Sequence, residues 1–135
     1  MRKLTDHKLN GLNEALEITV RDEPGPGGAC HRYDITGFDT DNNPSATAPD
    51  GYKASFSRAV IVFQHGPIQE VGGVNGISQE ALLAIVIDRL RSFQAGPYSC
   101  RENAIALTKC EEAMLWMQKR TRDRLARGVE GTSAK

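Results

Sequence analysis

The stretch "SFQAGPYSCREN", residues 92–103, joins two long helical patterns and decides the fold of the second half of the chain. The first pattern begins after Ser78, which is predicted to be its N-cap because a serine side chain can accept a free backbone N–H. Gly96-Pro97 ends this pattern, since proline disfavours helical geometry in the residue before it. The two aromatic residues of the stretch, Phe93 and Tyr98, are more than a bland polar turn requires.

A second helix is predicted to begin directly after this turn. Ser99 and Glu102 stand at the S-x-x-E spacing of a capping box, in which the two residues satisfy each other's backbone donors. The helix is expected to run to Arg127, with Gly128 as the C′ residue. The sequence therefore predicts a helical hairpin, within the region 73–135.

The first half of the chain predicts an antiparallel sheet. "ALEITVR" alternates apolar and polar residues with the period of a half-buried strand, and "CHRYDITGF" forms a second candidate strand. In "YKASFSRAVIVFQ" the first part also alternates, whereas the apolar run from Val60 to Phe63 is typical of a strand covered on both faces. The Asn- and Pro-rich segment 39–51 is predicted to be a loop. The predicted class is α+β, with a β-sheet region over 1–72 and the hairpin over 73–135 in a single compact domain.

Composition limits the functional classes. The chain has 135 residues, and both Lys+Arg and Asp+Glu total 17, so the formal net charge is zero. This balance argues against general attraction to DNA or to a membrane surface. The N-terminal sequence "MRKLTDHKLN" has no apolar core of a signal peptide, and no apolar run is long enough to cross a bilayer. We therefore expect a cytoplasmic protein.

The sequence contains no catalytic or metal-binding pattern. Its cysteines lack the spacing of a disulfide framework or a metal site, and its histidines are scattered. Asp34 is a weak acid–base candidate, because strand carboxylates usually face solvent. We therefore expect no metal, no cofactor and no enzymatic activity. The cysteines are Cys30, Cys100 and Cys110, and the histidines are His7, His31 and His65.

One stripe of the second helix has polar residues at both ends and apolar residues between them. Asn103 lies near its start, and Arg120 and Arg124 lie near its end. Asn103 and Arg120 are about 25 Å apart at a rise of about 1.5 Å per residue. One small ligand cannot reach both within a straight helix, but two antiparallel copies would bring them together. A site built from these groups is therefore expected between chains.

These groups suit an anionic nucleotide. Arg120 and Arg124 can hold phosphate oxygens through charge-assisted hydrogen bonds. Phe93 can stack on a base, and the Asn103 amide can donate to and accept from a base or a ribose. Each group also has a simpler interpretation: a solvated helix end for the arginines, hairpin packing for Phe93, and a local polar contact for Asn103. Trp116 is expected to pack the helix against the sheet.

The segments "FQHGPIQEVGGVNGISQEALLAIVIDRLRSFQAGP" and "CRENAIALTKCEEAMLWMQKRTRDRLARGVEGT" resemble the phage Thoeris anti-defence sponge family, over roughly residues 60 to 132. This family shares a helical-hairpin domain with anti-CBASS cyclic-nucleotide sponges. The resemblance implies sequestration, without cleavage, of the cyclic ADP-ribose-type messenger that bacterial TIR-domain enzymes make. It also implies action in the infected host cell.

The resemblance further implies a messenger pocket between protomers. Its residues in this chain would be Phe93, Asn103, Arg120 and Arg124. Some members of the family assemble as hexamers and bind cyclic di- or trinucleotides at separate sites. Contacts implied for such a second site are Arg101, Asn75 and Thr108. The alternatives are therefore a sponge for cyclic oligonucleotides, a protein that binds an acidic or nucleic-acid partner, and an enzyme that degrades the messenger.

Overall fold

Four short antiparallel strands make up the first half of the chain in a computed structural model that describes residues 1–135. They are β1 (Arg2–Leu4), β2 (Glu17–Val20), β3 (Arg32–Thr36) and β4 (Ala59–Val62), and a short helix, α1 (Gly11–Ala15), lies between β1 and β2. The second half contains α2 (Ile68–Val71), α3 (Gln79–Ala95) and α4 (Arg101–Ala126). The α+β class predicted from the sequence is confirmed. None of the helices combines the length and apolar character needed to span a bilayer.

The chain divides into two units, Met1–His65 and Gly66–Lys135. The first contains the sheet and the second contains the helices α2 to α4. Each unit is held by its own set of backbone and side-chain contacts, and each is described below by itself.

The sheet of the first unit follows chain order, β1-β2-β3-β4. Val20 lies opposite Tyr33, and Tyr33 lies opposite Ile61. Directly opposed residues point to the same side of a sheet, so these three apolar side chains share one face. Val20 is almost fully buried on that face. The strands predicted in "ALEITVR" and "CHRYDITGF" are therefore confirmed. Strand β1 was not predicted, because three residues are too few to display an alternating pattern.

Strand β4 differs from its sequence-based prediction. Val60 and Val62 are exposed rather than covered, whereas Ala59 and Ile61 are half-buried, so only one face of β4 is partly covered. The alternating segment before it forms only an isolated bridge between Thr47 and Lys53. The apolar run therefore predicted the strand correctly, but the prediction that both of its faces are covered is wrong.

Asp34 organises the second face of the sheet. Its side chain is 1% exposed, contrary to the solvent-facing position expected for it. Three arginines surround the carboxylate: Arg32 at 3.2 Å, Arg58 at 2.5 Å and Arg21 at 3.6 Å. Burial raises the pKa of the Asp34 carboxyl, but the hydrogen bonds from Arg32 and Arg58 and the charge of Arg21 outweigh this effect, so the pKa is lowered from its ordinary value.

The hairpin unit is built on α3 and α4. The Ser78 hydroxyl accepts the N–H of Ala81 at 3.1 Å, which confirms the predicted N-cap of α3. Ile87 is buried between the helices, and Arg91 bonds to Glu111 across them at 2.7 Å. The exposed ion pair of Arg91 and Glu111 adds little stability. The hairpin is therefore stabilised mainly by packing between the two helices.

Helix α4 begins one residue later than the predicted capping box requires. Cys100, not Ser99, is the N-cap, and its sulfur accepts the N–H of Asn103 at 3.4 Å. The capping-box prediction is therefore wrong, because the turn after Gly96-Pro97 brings the thiol rather than the hydroxyl into the capping position.

The C-terminal end of α4 follows the prediction. Gly128 is the C′ residue with φ +71°, a conformation that a residue with a side chain adopts only with strain. The N–H of Gly128 bonds to the carbonyl of Leu125 at 3.1 Å, and that of Val129 bonds to the carbonyl of Arg124 at 3.0 Å. These two bonds define a Schellman motif. The chain therefore reverses direction sharply after α4.

Replacement of the Asp34 carboxylate is expected to lower the stability of the fold and to make that stability depend less on pH in the acidic range. The folded-state pKa lies below the unfolded value of about 3.9. The carboxylate therefore stabilises the fold above about pH 4, and this contribution is lost as pH falls through the folded pKa. We expect Asp34→Asn to lower the urea midpoint at neutral pH and to flatten the loss of stability between about pH 5 and pH 2.5.

Circular dichroism during urea denaturation across this pH range measures both effects. The exposed Asp6 provides the control, because Asp6→Asn makes the same chemical change outside the arginine cluster. An Asp34→Asn variant with the acid dependence of the wild type would refute a stabilising role for the ionised carboxylate.

Candidate functional site

A pocket open to solvent lies at the C-terminal end of α4. Its volume is about 530 Å³, which is within the range usual for small-ligand sites. The side chains that line it are Trp116, Lys119, Arg120, Asp123, Arg124, Arg127 and Lys135. The single acid, Asp123, is paired with Lys119 at 2.7 Å. The pocket therefore has a clear excess of positive charge and is suited to an anion.

Arg124 forms the buried part of this pocket and is 9% exposed. Its Nε donates to the Glu130 carboxylate at 2.9 Å, and Nη1 donates to the carbonyl of Ala134 at 2.7 Å. Nη2 donates to the carbonyls of Val129 and Thr132, both at 2.9 Å. Four of the five guanidinium N–H groups are therefore used within the chain. One Nη1 hydrogen remains for another acceptor.

The segment that holds Arg124 is residues 129–134, which we call the C-terminal cradle. Gly131 has φ +82°, and a side chain there would press against Ile68 and Gln69. The Gln69 N–H donates to the Gly131 carbonyl at 3.0 Å, and the Ser133 hydroxyl donates to Glu70 at 3.0 Å. The cradle is thus fixed to α2 as well as to α4. It also places Lys135, whose carbonyl accepts from Arg127, at the pocket.

Arg120 differs from Arg124 in its surroundings. Its side chain is exposed and makes no hydrogen bond or ion pair within the chain. It lies one helical turn from both Trp116 and Arg124, so all three side chains emerge on one side of α4. Arg120 therefore presents an unpaired guanidinium to the pocket.

Two other predicted site residues lie at the opposite end of the hairpin. Phe93 is exposed near the end of α3, and the guanidinium of Arg89 stacks over its ring at 5.4 Å from the centroid. Asn103 lies in the first turn of α4, with a half-buried side chain. An aromatic ring and an amide therefore lie beside the turn, and their predicted role in binding stays a prediction.

The structure does not bring the two ends together within one chain. Helix α4 runs without interruption from Arg101 to Ala126, so Asn103 and Arg120 are separated by about 25 Å along its axis. The arginine pair shares one pocket, and Phe93 and Asn103 share the turn end. A site that contains all four residues would need a second copy of the chain.

The three remaining predicted contacts were assigned to a second site, separate from the arginine pocket. Arg101 is exposed at the first residue of α4, and Thr108 is exposed about two turns further along. Asn75 is exposed in the loop before α3. None of the three lines the arginine pocket. Their predicted role in binding cyclic oligonucleotides stays a prediction.

The sequence analysis missed five residues of the pocket, one of which is Asp123. Trp116 was expected to pack the helix against the sheet, but its side chain is 65% exposed and lines the pocket. Its four-residue spacing from Arg120 was the signal that could have identified it. Lys119, Arg127 and Lys135 also line the pocket, and Lys135 depends on the reversal of the chain after Gly128, which spacing alone does not reveal.

Comparison with known proteins matches most of the hairpin and reaches only the first part of the pocket, from Trp116 to Arg120. Residues 57–122 match the family model described as Acb2/Tad1, hairpin domain. These residues are therefore similar to the Acb2/Tad1 hairpin domain, and the resemblance to the Thoeris anti-defence family inferred from the sequence is confirmed.

One relative is a protein of Bacillus phage SBSphiJ7 named Thoeris anti-defense 1. The two sequences are 53% identical over 77 residues, a segment that covers 57% of this chain and 54% of the phage protein. The aligned segment thus spans only about half of either protein.

The contrast between Arg124 and Arg120 leads to a stability prediction. We expect Arg124→Ala to lower the free energy of unfolding by about 2 kcal/mol or more, because it removes hydrogen bonds between a charged donor and the cradle. Arg120→Ala removes the same side chain from an exposed position and is expected to change stability by less than about 0.5 kcal/mol. Urea denaturation of both variants provides the comparison, and equal stability of the two would contradict a structural role for Arg124.

Proposed function

We propose that this protein is a non-enzymatic anti-defence sponge that binds a cyclic ADP-ribose-type messenger of TIR signalling and sequesters it in the infected bacterial cell. The observation that carries the proposal is the cationic pocket at the end of α4, located in a hairpin that resembles a phage anti-defence protein. A cyclic ADP-ribose has two linked phosphates, an adenine base and two riboses. Each of these parts has a matching group in the chain.

The phosphates are assigned to the arginines. Arg120 has no partner within the chain and can offer its full guanidinium fork, which suits phosphate oxygens. Arg124 can add its one remaining N–H from the wall of the pocket. Because the cradle holds Arg124 in place, its contribution requires little further ordering on binding.

The base and a ribose are assigned to Phe93 and Asn103 of a second copy. The length of α4 separates these residues from the arginines of their own chain by about 25 Å. Two α4 helices side by side in opposite directions would place the turn end of each against the basic end of the other. Such an arrangement has twofold symmetry, which is the commonest symmetry of homodimers. It yields two equivalent pockets, and larger assemblies such as a hexamer can be built from these dimers.

Binding without cleavage follows from the groups assigned to the pocket. Apart from Asp123, which is paired with Lys119, its lining contains no carboxylate and no histidine to act as a general base. Heat denaturation of the purified complex, followed by mass spectrometry of the released ligand, tests whether the bound messenger stays uncleaved. Intact messenger is the expected product, and an opened or hydrolysed form would identify an enzyme instead.

Loss of the arginines is expected to weaken binding. Isothermal titration calorimetry with cyclic ADP-ribose isomers should give a dissociation constant roughly 10- to 150-fold higher for Arg120→Ala, since one charge-assisted contact contributes about 1.5–3 kcal/mol. Arg124→Ala should weaken binding as well and should also reduce stability.

Arg122→Ala is the matched control for calorimetry. It removes the same charge from the same helix, but Arg122 is exposed and does not line the pocket. Equal losses of affinity in the Arg120 and Arg122 variants would indicate a general charge effect, and wild-type affinity in the Arg120 and Arg124 variants would refute the assignment.

Mixed assemblies test the proposed sharing of the pocket between chains. Asn103→Ala and Arg120→Ala each damage both pockets of a homodimer. After subunit exchange in a one-to-one mixture, about half of the dimers combine the two variants and one pocket of each mixed dimer is intact. About a quarter of all sites should therefore recover wild-type affinity. No recovery, in a mixture whose exchange is verified by native mass spectrometry, would indicate a pocket within one chain.

Cyclic di- or trinucleotides are the second candidate ligands. Binding of these ligands is favoured by the position of Arg101 and Thr108, which are exposed on α4 outside the arginine pocket. A separate phosphate contact is therefore available there. Competition calorimetry distinguishes the two cases. Independent saturation by cyclic ADP-ribose and a cyclic dinucleotide indicates two classes of site, whereas displacement indicates one.

A further inference from the structure

Trp116 is the one uncharged side chain in the lining of the arginine pocket. The six other lining residues are all charged. Trp116 is also the only tryptophan of the chain, and its side chain is 65% exposed although indole is among the largest apolar groups. An exposed tryptophan next to a cluster of cations is typical of a binding surface rather than of a core.

The position of Trp116 relative to Arg120 restricts what the pocket can recognise. The two residues are four positions apart on α4, so their side chains are neighbours on one side of the helix, with about 6 Å between their Cβ atoms. A flat apolar face and a phosphate-binding fork are thus side by side. A ligand that uses both must combine an aromatic ring with a phosphate at short distance.

We infer that Trp116 stacks on the base of the bound nucleotide and thereby gives the pocket selectivity for base-bearing phosphates over base-free ones. This inference rests on the proposed function and names a residue of the same site. Every base has a π-face, so stacking on indole adds affinity without requiring a particular pattern of hydrogen bonds. The charged residues alone would bind pyrophosphate and a nucleotide with similar strength, and the indole separates the two ligands.

In the proposed antiparallel pair of copies, the two aromatic residues of the site, Phe93 and Trp116, have different positions. Phe93 of a second copy approaches from the turn end, and Trp116 already lies in the basic pocket. One base between the two rings would be covered on both faces. Trp116 therefore belongs to the arginine side of the site and does not duplicate Phe93.

Titration of the intrinsic tryptophan fluorescence provides a direct test, because no other tryptophan contributes to the emission. We expect cyclic ADP-ribose to quench the emission of the wild-type protein, and pyrophosphate to bind with little quenching. In calorimetry, Trp116→Ala should raise the dissociation constant for cyclic ADP-ribose roughly 5- to 150-fold. The same variant should change the dissociation constant for pyrophosphate by less than about twofold, and Trp116→Phe should keep most of the affinity for cyclic ADP-ribose because it retains an aromatic face.

The outcomes separate this inference from the proposed function. If cyclic ADP-ribose binds with wild-type affinity to Trp116→Ala and leaves the wild-type emission unchanged, the stacking role is overturned while the sponge function stands. An emission maximum already typical of a buried indole, and insensitive to ligand, would identify Trp116 as a contact between copies and would also overturn it. If cyclic ADP-ribose does not bind, the proposed function fails, and the same titration is made with cyclic diadenylate: quenching supports the stacking role, and its absence overturns it.

Discussion

The pocket at the C-terminal end of α4 depends on the hydrogen bonds between the Arg124 guanidinium and the C-terminal cradle. Four N–H groups of one side chain are satisfied by residues 129–134, so this segment lies folded against the last turns of α4. The positive φ of Gly128 allows the reversal, and the contact of Gly131 with Gln69 extends the same anchor to α2. Without this arrangement Lys135 would not share a pocket with Arg120, and the positive charge would be spread along a single helix.

Much of the architecture could be predicted from local chemistry, and the errors arose where tertiary geometry decides. The Ser78 cap and the Gly128 terminus follow from rules about individual residues. The choice of Cys100 over Ser99 depends on the path of the preceding turn, which has no pattern of its own. Likewise, the apolar run of β4 indicates a strand, but whether each face is covered depends on what packs against it, and one face of β4 is exposed.

For the candidate site as well, spacing along the sequence predicted some features and tertiary geometry decided the others. Spacing alone placed Arg120 and Arg124 on one side of a helix, and the structure places both in one pocket. Spacing could not reveal that Arg124 is largely occupied by the chain itself, because this depends on a turn outside the helix. Spacing could have grouped Trp116 with Arg120, but the exposure of Trp116 depends on which side of α4 faces α3. The two arginines thus have the same chemistry but different roles, one as an anchor with a single free donor and one as an unpaired cation.

The uninterrupted length of α4 has a consequence for capacity. In an antiparallel pair, the two equivalent pockets would lie about 25 Å apart, since each occupies an opposite end of the paired helices. This distance is about three Debye lengths at physiological ionic strength, so the charge of one captured molecule is screened from the other. Neither occupant would repel the next, and uptake would proceed without negative cooperativity until every position is filled. A decoy with that property depletes its target in direct proportion to its own abundance.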